Sequence, residues 1–308
     1  MSIKEDVRVV LVTRKTRLQE LTERFNTWPQ AKFYLEHSGV SVSDYLAEHD
    51  RYQAQLTQAK QILQPFGHFQ LLERALLPGY QFSARDLVVV IGQDGLVANT
   101  LKYLNGQPVI AVNPDPQRWD GPLLPFELAQ LQDVVTNTLN GKMDWKTLSF
   151  AQATTNDGQQ MLAVNDLFIG PKSHTSARYV LSWSGDSETQ SSSGIIISTS
   201  LGSTGWLQSI LAGALGVTGQ VSHPLQQGVS WADKRLRFSV REPFPGRTTG
   251  TRLVFGTIDD TAPLQLESLM PENGVIFSDG IESDFLHFNA GCIVTIGTAK
   301  TEGRLIWG

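Results

Sequence analysis

Residues 88–96 read VVVIGQDGL and decide the fold of the first part of the chain. Four consecutive β-branched residues predict a strand buried on both faces, as in a parallel sheet covered by helices. The glycine-flanked turn leads into a predicted helix, in which Val97, Leu101 and Leu104 fall on one face. Asp94 is therefore expected at the carboxyl edge of a parallel sheet, where open α/β folds bind ligands. A tight turn with an N-capping aspartate gives the same pattern.

The segments around this stretch divide the chain into an α/β part and a β-rich part. Up to residue 113, β-branched runs alternate with segments of helical spacing, at residues 7–13, 18–25, 45–63, 87–91 and 109–112. The proline-rich residues 113–125 predict an irregular connection, and a helix is expected over 125–140. Strands dominate afterwards, at residues 146–154, 160–169, 179–183, 195–199, 235–240, 252–258, 274–277 and 293–296. The serine-rich residues 184–193 and residues 242–250 predict mobile loops, and alternation in 235–240 predicts a half-buried strand.

The composition excludes several functional classes. The 308 residues carry 25 lysines and arginines against 30 aspartates and glutamates, so no extensive basic surface for nucleic acid is expected. No apolar run approaches the roughly 20 residues that span a bilayer, and no apolar signal core is seen, so a cytoplasmic protein without membrane contact is expected. A single cysteine, Cys292, and six scattered histidines predict no zinc cage and no resident metal site. Neither the glycine pattern of the dinucleotide fold nor a Walker-type lysine loop occurs.

Two further stretches place polar residues at the end of a buried strand. Residues 194–206 read GIIISTSLGSTGW, with a helix expected from about Ser203. Such a helix start offers backbone N–H groups to a phosphate, although a simple serine or threonine cap gives the same pattern. Asn165 and Asp166 lie within another apolar strand. Their adjacent amide and carboxylate could hold two ribose hydroxyls, or could mark a bulge at a strand end.

Taken in order, these three stretches resemble the motifs of the NAD kinase family. The Gly-Gly-Asp-Gly turn of that family corresponds to residues 92–95, its Asn-Glu or Asn-Asp pair to residues 165–166, and its Gly-Ser-Thr turn to residues 199–206. The resemblance extends from about residue 7 to 297 and is closest to the mitochondrial-type branch, on residues 109–116, 192–194 and Trp206. Residues 274–280 are similar to the family's late Asp-Gly strand.

The sequence also departs from the family pattern. Gln93 replaces a glycine, and Leu96 stands where many relatives have threonine or serine. Ser200 and Leu201 replace a proline-threonine pair. Gln93 adds bulk and a side-chain donor where the family's backbone approaches phosphate.

The resemblance implies that the terminal phosphoryl group of ATP is transferred to the 2′-hydroxyl of the adenosine ribose of NAD, giving NADP, with Mg²⁺ accompanying ATP. Asp94 is then the catalytic base that takes or positions the hydroxyl proton. The nucleotide-binding residues that it implies are Gly92, Gln93, Gly95, Asn165, Asp166, Thr199, Gly202, Ser203, Thr204 and Trp206. Arg14, Lys15 and Arg17 could neutralise phosphate or form an exposed, solvated cluster.

The expected fold class is α/β plus β, with an N-terminal Rossmann-like α/β domain over residues 1–125 and a β-rich, β-sandwich-like domain over 126–290. Residues 291–308 are expected to return to the first domain. The resemblance also implies a homo-oligomer built through the β-rich domain. Alternative functions are a lipid or other alcohol kinase of the same superfamily and a catalytically weak nucleotide-binding sensor. ATP and polyphosphate remain alternative donors, and NAD and NADH alternative acceptors.

Overall fold

The computed structural model describes residues 7–119 and 121–308 and divides the chain into two units. The first unit extends to Lys146 and includes Arg304–Gly308, while the second comprises Thr147–Gly303. The boundary lies later than residue 125 because Leu131, Val134 and Val135 of the helix at Leu131–Leu139 pack into the first unit's core. Of the C-terminal segment, only the last five residues join the first unit.

The elements follow one another in the order that the sequence pattern indicates. The helices are α1 Arg17–Arg24, α2 Trp28–His37, α3 Val42–Leu63, α4 Asp94–Leu101, α5 Leu131–Leu139 and α6 Trp206–Thr218. The first strands are β1 Arg8–Thr13, β2 His68–Glu73, β3 Asp86–Ile91, β4 Pro108–Asn113 and β5 Phe126–Glu127. The remaining strands are β6 Asp144–Thr155, β7 Gln160–Ala163, β8 Asp166–Pro171, β9 Ala177–Trp183, β10 Asp186–Ser192, β11 Ile195–Ser198, β12 Leu236–Val240, β13 Phe255–Ile258, β14 Leu264–Ser268, β15 Gly274–Ser278, β16 Ile281–His287 and β17 Ile293–Trp307.

A parallel sheet organises the first unit. Its strands run in the order β2-β1-β3-β4, and the end of β17 adds to β4 through Arg304 and Leu305. Every residue of β3 is buried, as expected for a parallel strand covered on both faces. One face of the sheet packs against α3 and α5 in a single hydrophobic cluster. The carboxyl ends of β1, β3 and β4 therefore share one edge, which carries the turn at residues 92–95.

Two layers of antiparallel strands form the second unit. One contains β10, β9, β14 and β17, with β6 and β7 beyond β17, and the other runs β13-β12-β11-β8-β15-β16. Their facing side chains build one core that includes Ile169, Tyr179, Ile197 and Leu266. This is sheet-on-sheet packing. The α/β unit followed by a β-rich, sandwich-like unit confirms the fold class expected from the sequence.

The interpretation of residues 184–193 as a mobile loop is wrong. Residues Asp186–Ser192 form strand β10, which pairs with β9 along its whole length. Its polar side chains are satisfied within the fold, since the buried Gln190 donates to the Leu253 carbonyl at 3.0 Å and accepts from the Tyr179 hydroxyl at 3.1 Å. Hydrogen bonding thus compensates for the burial of residues that are typical of loops.

Two other local expectations are corrected. Strand β12 is buried on both faces rather than half-buried, because Arg237 pairs with Asp233 at 2.6 Å and Ser239 is also enclosed. The helix expected over residues 125–140 begins only at Leu131, after the short strand β5 and a 3₁₀ turn over Leu128–Gln130. Among the residues that the structure describes, no helix is both long and apolar enough to span a bilayer.

Candidate functional site

Asp94 lies at the carboxyl edge of the parallel sheet, as its position after β3 predicts. It is half-buried and is the first residue of α4, so the N-cap is Gln93 and not Asp94. The Gln93 side chain makes no capping hydrogen bond. Instead of capping its own helix, Asp94 accepts a hydrogen bond from the backbone N–H of Leu123 through Oδ1, at 2.9 Å. The loop before β5 therefore fixes the orientation of this carboxylate.

The glycines around Asp94 have different roles. A Cβ atom at Gly92 would lie 2.7 Å from Cδ2 of Leu96, so this glycine makes room for a buried leucine. Gly95 is exposed, and a Cβ there would meet no atom within 4 Å. A Cβ at Gly121 would lie 2.8 Å from Oδ1 of Asp94. Open space beside the turn is therefore found at Gly95, while Gly121 permits close approach of the loop to the carboxylate.

Tyr52 on α3 holds the strand end that precedes this turn. Its buried hydroxyl donates to the Ile91 carbonyl at 3.0 Å and accepts from the Arg14 N–H at 3.1 Å. Burial raises the pKa of Tyr52, and the Arg14 N–H and the Arg14 charge partly oppose this shift. The side chain thus ties the ends of β1 and β3 together. The sequence places Tyr52 on a helix but carries no signal for this bridge.

The cations after β1 are engaged by carboxylates. Arg14 pairs with Glu48 at 2.8 Å and Lys15 pairs with Glu23 at 2.8 Å. Arg17 pairs with Asp44 at 2.8 Å and lies 3.7 Å from the buried Glu48. Of the two expectations for Arg14, Lys15 and Arg17, phosphate neutralisation therefore has less support, because nearby carboxylates already balance their charge.

In the second unit, the Gly-Ser-Thr turn rests directly on Asn165 and Asp166. The N–H of Thr199 donates to the Asn165 carbonyl at 2.9 Å, and its hydroxyl donates to the Val164 carbonyl at 2.6 Å. The same hydroxyl accepts from the Gly202 N–H at 3.1 Å. A Cβ at Gly202 would lie 2.2 Å from the Asn165 carbonyl oxygen and 2.9 Å from Oδ1 of Asp166. Only glycine fits this position.

The polar residues of the turn divide into inward and outward groups. Ser203 is buried, and its hydroxyl donates to the Ser200 carbonyl at 2.6 Å and accepts from the Val229 N–H at 2.9 Å. Thr204 and Gly205 are exposed. A 3₁₀ turn over Gly202–Thr204 leads into helix α6, which begins at Trp206 with Gly205 as its N-cap and therefore has no serine or threonine cap. The hydroxyls of Thr199 and Ser203 hold the turn together, while Thr204 faces solvent.

Asp279 fixes the backbone that presents the Asn-Asp pair. Strand pairing stops between β7 and β8, and the Asp279 carboxylate accepts from the N–H groups of Val164 at 3.1 Å and Asn165 at 2.6 Å. Asp279 itself has a φ of 53°, which places it in the left-handed region. The continuous strand expected over residues 160–169 is therefore broken at the pair. The sequence pattern indicates the Asp-Gly step at residues 279–280, but it carries no signal that Asp279 caps this break.

Asp166 is the most perturbed carboxyl group of this arrangement. Its Oδ1 is buried and has no hydrogen-bond partner among the described residues. Burial raises the pKa of Asp166 to about 7; the Ser198 hydroxyl opposes the shift and the charge of Asp279 adds to it. Desolvation of this kind favours the neutral carboxyl group. Asp166 can therefore exchange a proton near neutral pH.

Trp206 packs on the outer face of the second sheet. Its ring is nearly parallel to that of Phe168, at 7° and with centroids 5.9 Å apart, and the Arg241 guanidinium lies 5.5 Å from its centroid. The indole is thus part of an aromatic cluster next to the turn. Within residues 7–119 and 121–308, no group of three or more histidine, cysteine, aspartate or glutamate side chains is arranged to hold a metal ion.

Comparison with known proteins shows similarity to solved structures but no match in sequence. No protein-family model and no curated protein sequence matches the chain. The yeast NADH kinase solved with NADH has a TM-score of 0.59 and 15% identity, and the match covers 98% of this chain and 84% of that chain. An NAD kinase from Archaeoglobus fulgidus solved with ATP has a TM-score of 0.57 and 14% identity, over 97% of this chain and 92% of that chain. The chain therefore has a fold that NAD kinases also adopt.

Proposed function

We propose that this protein is an NAD kinase, which transfers the terminal phosphoryl group of ATP to the 2′-hydroxyl of the adenosine ribose of NAD. The observation that carries the proposal is the seating of the Gly-Ser-Thr turn on Asn165 and Asp166, in a fold shared with two kinases. One of those kinases was solved with NADH and the other with ATP. Nucleotide substrates are therefore the first to test.

Asp94 is proposed to take, or to position, the proton of the attacking hydroxyl. Phosphoryl transfer requires alignment of the two oxygens, neutralisation of charge on the phosphate, and an acceptor for this proton. A half-buried carboxylate at the sheet edge can supply the last requirement, and the hydrogen bond from Leu123 holds one of its oxygens in place. Gly95 leaves open space beside it for substrate atoms. In this proposal Mg²⁺ enters together with ATP and screens the negative charge of its phosphates.

The second unit is proposed to bind the acceptor nucleotide. Asn165 and Asp166 supply a donor and an acceptor for ribose hydroxyls. Thr204 and the backbone of Gly205 face solvent and can contact the substrate, whereas Thr199, Gly202 and Ser203 maintain the shape of the turn. Trp206 offers an apolar edge to a base. In this proposal Gln93 and Gly92 contribute to the shape of the turn that carries Asp94.

The test is an assay of NADP formation with purified protein, Mg²⁺ and NAD, with ATP and polyphosphate as separate donors. The product is measured with an NADP-specific dehydrogenase. We expect Asp94→Asn to lower kcat by about a hundredfold or more with an unchanged circular dichroism spectrum. The matched control is Asp133→Asn, an exposed carboxylate on α5 of the same unit, which should retain full activity. Equal activity of Asp94→Asn and wild type would exclude the proposed base.

A nucleotide-binding sensor without turnover is the second candidate. Gln93 favours it, because this residue places a half-exposed amide side chain without a capping bond immediately before Asp94. Wild-type protein that binds NAD but forms no NADP from either donor would favour this candidate, and Gln93→Gly would then be expected to restore turnover. Phosphorylation of a lipid alcohol instead of NAD would indicate a lipid or other alcohol kinase of the same superfamily.

A further inference from the structure

A cavity of about 370 Å³ lies on the outer face of the second unit's β13-to-β16 sheet. Its lining includes four aromatic rings, from Phe168, Trp206, Phe277 and Phe285. Cavities that bind small molecules are mostly apolar, carry a few polar groups, and begin at roughly 300 Å³. This cavity is therefore large enough for one or two fused rings with a substituent. It lies entirely within one unit.

The floor of the cavity is fixed by two glycines. A Cβ at Gly170 would lie 2.7 Å from the ring of Phe168, and a Cβ at Gly194 would lie 2.8 Å from the same ring. The ring thus lies flat on the backbone of β8 and of the turn before β11. It also packs near the Phe277 ring, with centroids 4.9 Å apart, and the Trp206 ring. A ring held in this way is ordered before any ligand arrives, which lowers the entropic cost of binding.

Two cations lie beside the aromatic walls. The Lys172 ammonium lies 4.6 Å from the centroid of Phe285, and the Arg241 guanidinium lies 5.5 Å from that of Trp206. Of the described residues that line the cavity, only Glu282 carries a carboxylate, and it is exposed. Arg241 also has a loose contact with the exposed Glu242, at 3.8 Å. The lining therefore carries a net positive charge next to flat apolar surfaces.

We propose that this cavity binds a planar aromatic ring that bears one anionic group, such as an aryl carboxylate. The ring would stack among the aromatic side chains, and the anion would accept hydrogen bonds from Lys172 and Arg241. Because Lys172 and Arg241 already occupy positions over the rings, a cationic ligand is repelled. The site needs neither ribose nor polyphosphate. Trp206 connects it to the Gly-Ser-Thr turn, since this residue follows the turn and opens α6.

The test uses three ligands of nearly one shape and different charge: 1-naphthoate, 1-naphthalenemethanol and 1-naphthylmethylamine. Their affinities for the full chain are measured by isothermal titration calorimetry at low salt. Naphthoate is expected to bind about tenfold tighter than the alcohol, and the amine more weakly than either. The double variant Lys172→Gln, Arg241→Gln should abolish the advantage of naphthoate and leave the affinity for the alcohol unchanged. Arg252→Gln, an exposed arginine outside the cavity, is the matched control.

A surface variant keeps the test valid if the double variant fails to fold. Glu282→Gln removes the one lining carboxylate and should tighten naphthoate binding by about threefold. The proposal is overturned if the amine binds most tightly, or if naphthoate and the alcohol bind equally. It is also overturned if Arg252→Gln weakens naphthoate as much as the double variant does, or if none of the three ligands binds at millimolar concentration.

Discussion

Replacement of Asp166 by asparagine should stabilise the protein relative to wild type, and this gain in the free energy of unfolding should be larger at neutral pH than at acidic pH. The Asp166 carboxyl group packs against Gly202, and its Oδ1 has no hydrogen-bond partner among the described residues. Burial raises its pKa from an ordinary value of 3.8 to about 7. Asparagine has nearly the same shape and carries no charge. The substitution therefore removes the cost of ionising a buried group and leaves the packing in place.

The magnitude follows from the difference in proton affinity between the folded and unfolded states. Below about pH 4 the carboxyl group is protonated in both states and imposes no cost. Between about pH 4 and pH 7 the folded state retains a proton that the unfolded state has lost, so the stability of the wild type falls as pH rises, by about 1.4 kcal/mol per pH unit. Above pH 7 the cost is constant. Between pH 5 and pH 8 the stability gap between variant and wild type should widen by roughly 2.5 kcal/mol.

The assay is urea unfolding followed by circular dichroism at pH 5, 6, 7 and 8. The dependence of the free energy of unfolding on urea concentration, the m-value, is fitted as one common value for both proteins. Asp260→Asn, an exposed carboxylate of the same unit, is the matched control and should show a gap that changes little with pH. A gap between wild type and Asp166→Asn that stays constant or narrows as pH rises would refute the reasoning. It would mean that the Asp166 carboxyl group is solvated in the folded protein.

Four further substitutions test the local geometry of the site. Gly202→Ala should destabilise the protein by about 2–3 kcal/mol through overpacking. Gly95→Ala should not lower the melting temperature, because the added methyl group meets no atom within 4 Å and alanine is the better helix former. Equal destabilisation by the two substitutions would contradict the assigned packing. Tyr52→Phe should cost about 1–2 kcal/mol in urea unfolding, since the Ile91 carbonyl loses its donor, and an unchanged midpoint would argue against the bridge. Asp279→Asn should lower the free energy of unfolding by about 1–3 kcal/mol, because it weakens the hydrogen bonds that the Asp279 carboxylate accepts from Val164 and Asn165. It should also speed backbone hydrogen exchange in β8 more than in β12, and equal acceleration in both strands would contradict a local capping role.

The fold followed from the sequence where hydrophobic pattern alone determines structure. The unbroken run at residues 88–91 is compatible only with burial on both faces, and the structure has β3 in the interior of a parallel sheet. Strand β10 was missed because its polar composition is typical of loops. Its burial depends on the partners of Gln190, which lie 11 and 63 residues away in the sequence. Local pattern carries no information about such partners.

The candidate site was predictable in its residue types and less so in their roles. Short glycine and hydroxyl motifs indicate a turn at a strand end, and the structure has such turns at Asp94 and at Gly202. Whether a hydroxyl faces inward depends on tertiary contacts, so the burial of Ser203 was not foreseeable. The pairing of Arg14 with Glu48 also joins residues 34 positions apart. Charge patterns show that cations are present but not which carboxylates they meet.

The hydrogen bonds from Val164 and Asn165 to Asp279 span 115 and 114 residues of chain. During synthesis on the ribosome, the two strands that flank the Asn-Asp pair emerge long before the residue that secures them. This part of the protein is therefore completed only after the hairpin of β15 and β16 has emerged. A nascent chain stalled before residue 274 would lack β15 and would expose the edge of β8 to other molecules.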